Sequence, residues 1–292
     1  MNKRLCLIAV TAASLLAPAW AQRVQAEAPT TVALMAAVGD QFTFVRQKQS
    51  TGSNLEPFSR QTMQLQTQQL NYAVLRGLDR AIELEEPQAR RVLLSWTAPA
   101  NVKAAMEKAY VNDRNEVLLD ALRKHLASMP ERKQWDRIEA IVPHFSFRGV
   151  KGMGTKLSGI GVYVQPLQSM SVDINGEGDV ESSERNGSYF TVDPNTGEKS
   201  NYSTYVAPYF YFDRVTLDAQ TLKVLSRKPQ MDSIKYHDPM STAVDVARQL
   251  SSAQMIDKLL DLAEKSAYRS VRGSVEVSAP KAIDTPPAKP QP

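Results

Sequence analysis

Apolar residues follow two rhythms along this chain, and the switches between them mark its elements. Thr31 to Val38 is an apolar run of strand length; Gly39-Asp40 and a second run, Gln41 to Arg46, follow at once, which predicts two strands or one bent strand. Leu70, Ala73, Val74, Gly77, Leu78, Ala81 and Ile82 then recur at three- and four-residue spacing. They place one apolar face on a helix running from Gln61 to Glu86, with Pro87 marking its end. Arg91 to Trp96 reads as a strand. Glu116 to Leu126 returns to helical spacing through Val117, Leu118, Ala121, Leu122 and Leu126, and Ile138 to Pro143 is strand-like again.

Strand, helix, strand, helix, strand is what parallel neighbours require, because each parallel pair needs a crossover connection. The expectation is an α/β fold: a layered, mixed, mostly parallel sheet flanked by helices. Beyond this core the pattern becomes all-strand, with Gly159 to Leu167, Tyr205 to Leu217 and Leu222 to Arg227. The last two are joined by the tight turn Asp218-Ala219-Gln220-Thr221. Pro208 argues that its strand begins there or lies at an edge. A final helix is expected after Asp238-Pro239, where an Asp cap and a Pro at the first helical position are the usual entry chemistry. Its stripe runs through Ala243, Val246, Ala247 and Leu250 and resumes at Ile256, Leu259, Leu260 and Ala263, with a break at Ser251-Ser252. One domain over residues 22–278 accounts for the pattern, with a polar loop or hairpin inserted near 168–204.

Both ends of the chain read differently from this core. Lys3 and Arg4, the short apolar run Leu5 to Ala17, and Ala19-Trp20-Ala21 before Gln22 have the order of an export signal, so residues 1–21 are expected to be removed. The apolar run is shorter than the roughly 20 residues that span a bilayer. A periplasmic or secreted product cleaved near Ala21 follows. At the other end, Ala279 to Pro292 holds five prolines in 14 residues and is expected to be a disordered tail. The single cysteine, Cys6, lies within the signal, which leaves a mature chain without disulfides, stabilised by its core alone. Losing Lys3 and Arg4 takes 35 basic residues to 33 against 31 acidic ones, a net of +2. With no basic block or stripe in the mature chain, nucleic acid is set aside as a partner.

The sharpest chemical pattern is Asp173-Ile174-Asn175-Gly176-Glu177-Gly178-Asp179-Val180-Glu181-Ser182-Ser183-Glu184. Its oxygen-bearing side chains and its glycine at the sixth place resemble the calcium loop of the EF-hand family. Asp173, Asn175, Glu177, Asp179 and Glu184 are the candidate calcium ligands, since calcium takes six to eight hard oxygens on a flexible loop. Glu177 is longer than the usual residue at its place, and neither flank reads as a helix. An acidic, glycine-rich hairpin loop kept in solvent is the plainer reading. Gly149, Gly152, Gly154, Gly159 and Gly161, interleaved with Arg148, Lys151 and Lys156, suggest an anion cradle, but their spacing fits neither the dinucleotide fingerprint nor the P-loop.

Asp40 at a strand end, His144 and Ser146 beyond Val142-Pro143, and His237 before the last helix are the candidate acid and base groups, because ligands in α/β sheets bind at the carboxyl ends of strands. Gln41 stands where a Gly-Asp-Ser esterase would carry its nucleophile. The chain has no Gly-x-Ser-x-Gly elbow and no His-Glu-x-x-His helix. His125, on a predicted helix, reads as a surface or capping residue. Along the aromatic stretch around Tyr202, Tyr205 and Tyr209 to Phe212, strand alternation puts Phe210 and Phe212 on one face and Tyr209 and Tyr211 on the other, with core packing the expected use.

The run Val32 to Val45 around Gly39-Asp40, and Gly159-Ile160-Gly161-Val162-Tyr163 after its glycine-rich loop, resemble uncharacterised exported α/β proteins of proteobacteria. The resemblance implies a bacterial, periplasmic setting and no particular activity. The missing nucleophile and metal triad favour a non-catalytic protein of the periplasm or cell envelope that binds an unknown ligand or an envelope protein; the alternative is a hydrolase with an unfamiliar site at the strand ends.

Overall fold

A computed structural model of the chain describes residues 29–47, 58–146, 157–169, 190–192, 199–237, 250–272 and 281–282. The signal segment, the calcium-loop candidates, Gly149, Gly152, Gly154, Ser146's following loop and the Asp238-Pro239 cap lie outside the described residues, as does most of the tail.

Three parallel strands form the first half of the sheet. β1 (Thr31–Ala36) is central, with β4 (Arg90–Ser95) on one side and β5 (Arg137–Pro143) on the other, each in parallel register. The links between them provide the helices. α1 (Gln69–Glu85) covers one face, while α2 (Ala100–Lys108) and α3 (Arg114–Ala127) cover the opposite one. The two faces sort by strand alternation: Val32, Leu34 and Ala36 pack toward α1, whereas Ala33, Met35 and Ala37 pack toward α3. The α/β architecture, a mixed sheet flanked by helices, is the one the sequence predicts.

The second half continues the same lines. β2 (Gln41–Gln47) follows β1 and is parallel to β6 (Ile160–Ser169), and both halves rest on the 20-residue strand β8 (Lys199–Asp218), which is antiparallel to β5 and β6. His144 donates its amide to the Tyr211 carbonyl, Tyr211 donates to that of Gly159, and Gly159 donates to that of His144. A residue in an antiparallel strand aims its N–H and C=O at one edge, so β5 and β6 lie end to end along the same edge of β8. β9 (Val224–Ser233) takes the other edge. β3 (Phe58–Gln64) closes the second half antiparallel to β2, and β7 (Phe190–Val192) pairs with the start of β8 to form the end of a hairpin within the predicted insertion. β10 (Tyr236–His237) pairs with β8 and with β11 (Lys281–Ala282), which seats two residues of the proline-rich tail on the sheet rather than leaving them unstructured.

Two sequence expectations are corrected and one helix is added. The helix predicted from Gln61 begins only at Gln69, because Gln61 to Gln64 pair with β2 as an edge strand and the helical stripe starts at Leu70. α2 has no counterpart in the prediction: its only large apolar residues are Val102 and Met106, both half-buried, too little for a periodic stripe. Pro208 sits inside β8 rather than at its start. Its carbonyl still accepts the Ile234 amide at 3.2 Å, just where β9 ends, so little ladder is lost.

α4 (Ser252–Arg272) begins at the predicted break. Ser251 Oγ accepts the Gln254 amide, and Gln254 Oε1 accepts the Ser251 amide, a reciprocal cap. α4 crosses α1 so closely that a Cβ on Gly77 would lie 2.2 Å from the Glu264 carbonyl oxygen. Beneath this pair, buried Glu139 accepts from Arg137, Arg214 and Thr216; Arg137 also pairs with Glu86, and Arg214 donates to the Ser270 carbonyl. One carboxylate thus ties the sheet to both helices, and the Arg137 guanidinium, though partly desolvated, is held protonated by Glu86 and Glu139.

Candidate functional site

β1 and β5 end side by side while β4 and β3 run in from opposite ends and stop, β4 at Ser95 and β3 at Gln64. Extended backbone therefore gives out on one side of residues 37–40, and the chain opens there into a crevice of about 190 Å³. Its position is the one α/β topology favours, outside the carboxyl ends of parallel strands whose crossovers leave to opposite faces.

Two asparagines hold its rim. Asn71, fully buried in the first turn of α1, accepts the amides of Val38 and Gly39 at 3.0 and 3.1 Å and donates to Ser95 Oγ and the Trp96 carbonyl, both at 3.1 Å. All four of its hydrogen-bonding positions are used. Gly39 has φ +85°, the left-handed region that lets the backbone turn both amides toward one side chain. On the opposite face of the sheet Asn115, at the start of α3, accepts the Phe145 amide at 2.7 Å just beyond β5. Each parallel strand end is thus pinned by an asparagine from the first turn of a helix.

Within the crevice, Asp40 receives a 2.9 Å hydrogen bond from Lys103 of α2. Burial pushes the Asp40 carboxyl up, but hydrogen bonds from Lys103 and Gln64 outweigh it and hold it below the usual carboxylate value. Glu107 of α2 and Arg114 of α3 also line the space, together with polar Gln41, Thr43, Thr62 and Ser158 and apolar side chains including Met106, Leu118, Phe145 and Ile160.

The candidate acid and base groups part company. Asp40 serves Lys103, whereas His144 Nδ1 lies 2.9 Å from Asp213 Oδ1 and does not line the crevice. Asp213 is 1% exposed; its other oxygen faces Arg227, which continues to Glu116 at the start of α3. Burial raises the Asp213 carboxyl, and the His144 and Arg227 contacts more than reverse that, leaving it below the ordinary value. The side chain of His237 lies outside the described residues. His125 is half-buried on α3 and stacks on Trp96 with ring centroids 5.7 Å apart.

The five calcium candidates lie outside the described residues; among the described residues no three His, Cys, Asp or Glu side chains gather as a metal site. Of the glycines suggested as an anion cradle, Gly159 spends its amide on His144 and Gly161 is inside β6. The aromatic stretch divides as its alternation predicts: Phe210 and Phe212 enter the α1–α4 core, and Tyr209 and Tyr211 are equally buried on the other face.

Asn71, Lys103, Arg114, Asn115 and Asp213 escaped the sequence reading. Two carry a signal in hindsight. Asn71 is a polar residue beside Leu70 on an otherwise apolar helix face, and Asp213 continues the inward series Tyr209, Tyr211, Val215, Leu217. A polar residue at a position whose period demands burial must find partners. No protein-family model matches the chain, and no curated protein matches it.

Proposed function

We propose that this is an exported protein of the bacterial periplasm or cell envelope that binds a small ligand in the crevice at the ends of β1 and β5 without transforming it. The observation that carries the binding reading is the crevice itself: a partly apolar space with a few placed charges, rimmed by strand ends that Asn71 and Asn115 hold in place. Asp40, its best-placed acid, is committed to Lys103, and the one His–Asp pair among the described residues is elsewhere. The export reading rests on residues 1–21, and among the described residues no helix is long and apolar enough to cross a membrane.

The test is twofold. N-terminal sequencing of the protein recovered from a bacterial periplasmic fraction should start near Gln22; recovery from the cytoplasm with residues 1–21 intact would remove the export reading. A metabolite panel should contain compounds that raise the melting temperature by mass action, while chromogenic ester, phosphate, glycoside and peptide substrates stay intact. The hydrolase alternative has one observation in its favour, the carboxylate of Asp213 against the imidazole of His144, the orientation an activated base uses. Turnover abolished by His144→Ala at an unchanged melting temperature would establish that alternative.

A further inference from the structure

We infer that the crevice takes a small zwitterion with a branched aliphatic body, an α-amino acid of about the size of valine or leucine. This rests on the crevice being a ligand site and specifies its ligand.

Charge balance is the first argument. Four charged side chains line the space, Asp40, Lys103, Glu107 and Arg114, two of each sign. Asp40 and Lys103 satisfy each other at 2.9 Å. Glu107 and Arg114 have no ion-pair partner among the described residues: Arg114 spends its Nε on the Ala109 carbonyl at 3.4 Å, which leaves both terminal nitrogens of the fork. A guanidinium fork matches a carboxylate through two parallel N–H donors, and the free carboxylate of Glu107 matches an ammonium. An anion alone would meet two carboxylates, and a cation alone two basic groups. A molecule bearing both charges on one end meets a complement for each.

Size and polarity supply the second argument. A dry cavity of about 150 Å³ accommodates benzene, so the space here corresponds to roughly eight non-hydrogen atoms. Ala98, Met106, Leu118, Pro143, Phe145 and Ile160 give it an apolar lining beside the charged groups. That is the volume of a branched-chain amino acid, and apolar and charged groups are both at hand for it.

Isothermal titration calorimetry on the purified protein decides it, with three probes: L-leucine, 4-methylpentanoic acid, which lacks the amine, and 3-methylbutylamine, which lacks the carboxylate. L-Leucine should bind saturably, with each truncated probe weaker by about ten-fold or more, the scale of one charge-assisted hydrogen bond. Arg114→Gln should weaken leucine by a similar factor without changing the melting temperature of the free protein; Glu107→Gln, on an exposed side chain, provides the same comparison for the ammonium end. If 4-methylpentanoic acid binds as tightly as leucine, the zwitterion assignment falls and the crevice survives as a site for carboxylic acids. If leucine gives no heat, the assignment falls outright. If other compounds in the panel then raise the melting temperature, and Arg114→Gln abolishes that rise, the wider binding reading still stands.

Discussion

Gly39 presents its amide to the side chain of Asn71 at 3.1 Å, across a separation of 32 residues that includes two strands and the entry to α1. The same oxygen takes the neighbouring Val38 amide, and the same side chain's nitrogen reaches across to the end of β4. One buried amide group therefore sets where two parallel strands stop and how the crevice between them is shaped.

Asn71→Ala should cost about 2–4 kcal/mol, because it strands a buried amide, a half-buried amide and a buried carbonyl in place of a fully satisfied group. Asn71→Asp keeps the acceptor but removes both donors and buries a charge, so it should be no milder. Urea denaturation of the two variants measures this, and a loss below about 1 kcal/mol for Asn71→Ala would show that water replaces the side chain.

Gly77→Ala has an unusual sign. In an isolated helix this exchange gains about 1 kcal/mol, yet here the new Cβ would sit 2.2 Å from the Glu264 carbonyl oxygen and push α1 from α4. A net destabilisation of about 1–3 kcal/mol is expected from the overpacking, read as a lower midpoint in denaturant. A more stable variant would mean that the helices separate without cost.

Stability should fall with acid through Asp213. Its carboxyl is held below the unfolded value of about 3.9, so its pairing with His144 and Arg227 contributes fully above that pH and is lost as pH drops through the lower folded-state value. Asp213→Asn should flatten the decline of unfolding free energy below about pH 4 and lower stability at neutral pH by about 3–5 kcal/mol, since one carboxylate is removed from a buried pair. Parallel pH titrations of wild type and variant provide the check. An unchanged acid slope would reassign the decline to other carboxylates, Asp40 and Asp218 among them.

Removing the Asp40–Lys103 pair should matter far less. Both side chains are about a quarter exposed, and such pairs contribute at most about 1 kcal/mol. Lys103→Ala should therefore melt within a few degrees of wild type, with a difference that shrinks further as salt is added. A large loss of stability would mean that α2 depends on this contact to stay on the sheet.

The strands of the core were legible because β1 and β5, buried on both faces, need continuous apolar runs, and α1, α3 and α4 were legible because each buries one stripe. α2 and β3 were not, since α2 buries no residue completely and β3 is an edge strand exposed along most of its length. Asp40 and His144 were singled out from their places at strand ends; the structure puts only Asp40 in the crevice, and the partner of neither was legible. Lys103 and Asp213 lie 63 and 69 residues farther along the chain; nothing local distinguishes Lys103 from a solvated charge, and the buried alternation around Asp213 says that it needs partners without saying which.

The sequence by itself determined β1, β5, α1, α3 and α4, their order and the α/β class, because hydrophobic periodicity is a local property that each of these segments carries alone. The tertiary structure decided that β5 and β6 share one edge of β8, that Asp40 and His144 serve different partners, and that Arg114 and Glu107 line the same crevice. These depend on register and on long-range pairing, where the partner of a buried or half-buried charge is set by which segments the packing brings together.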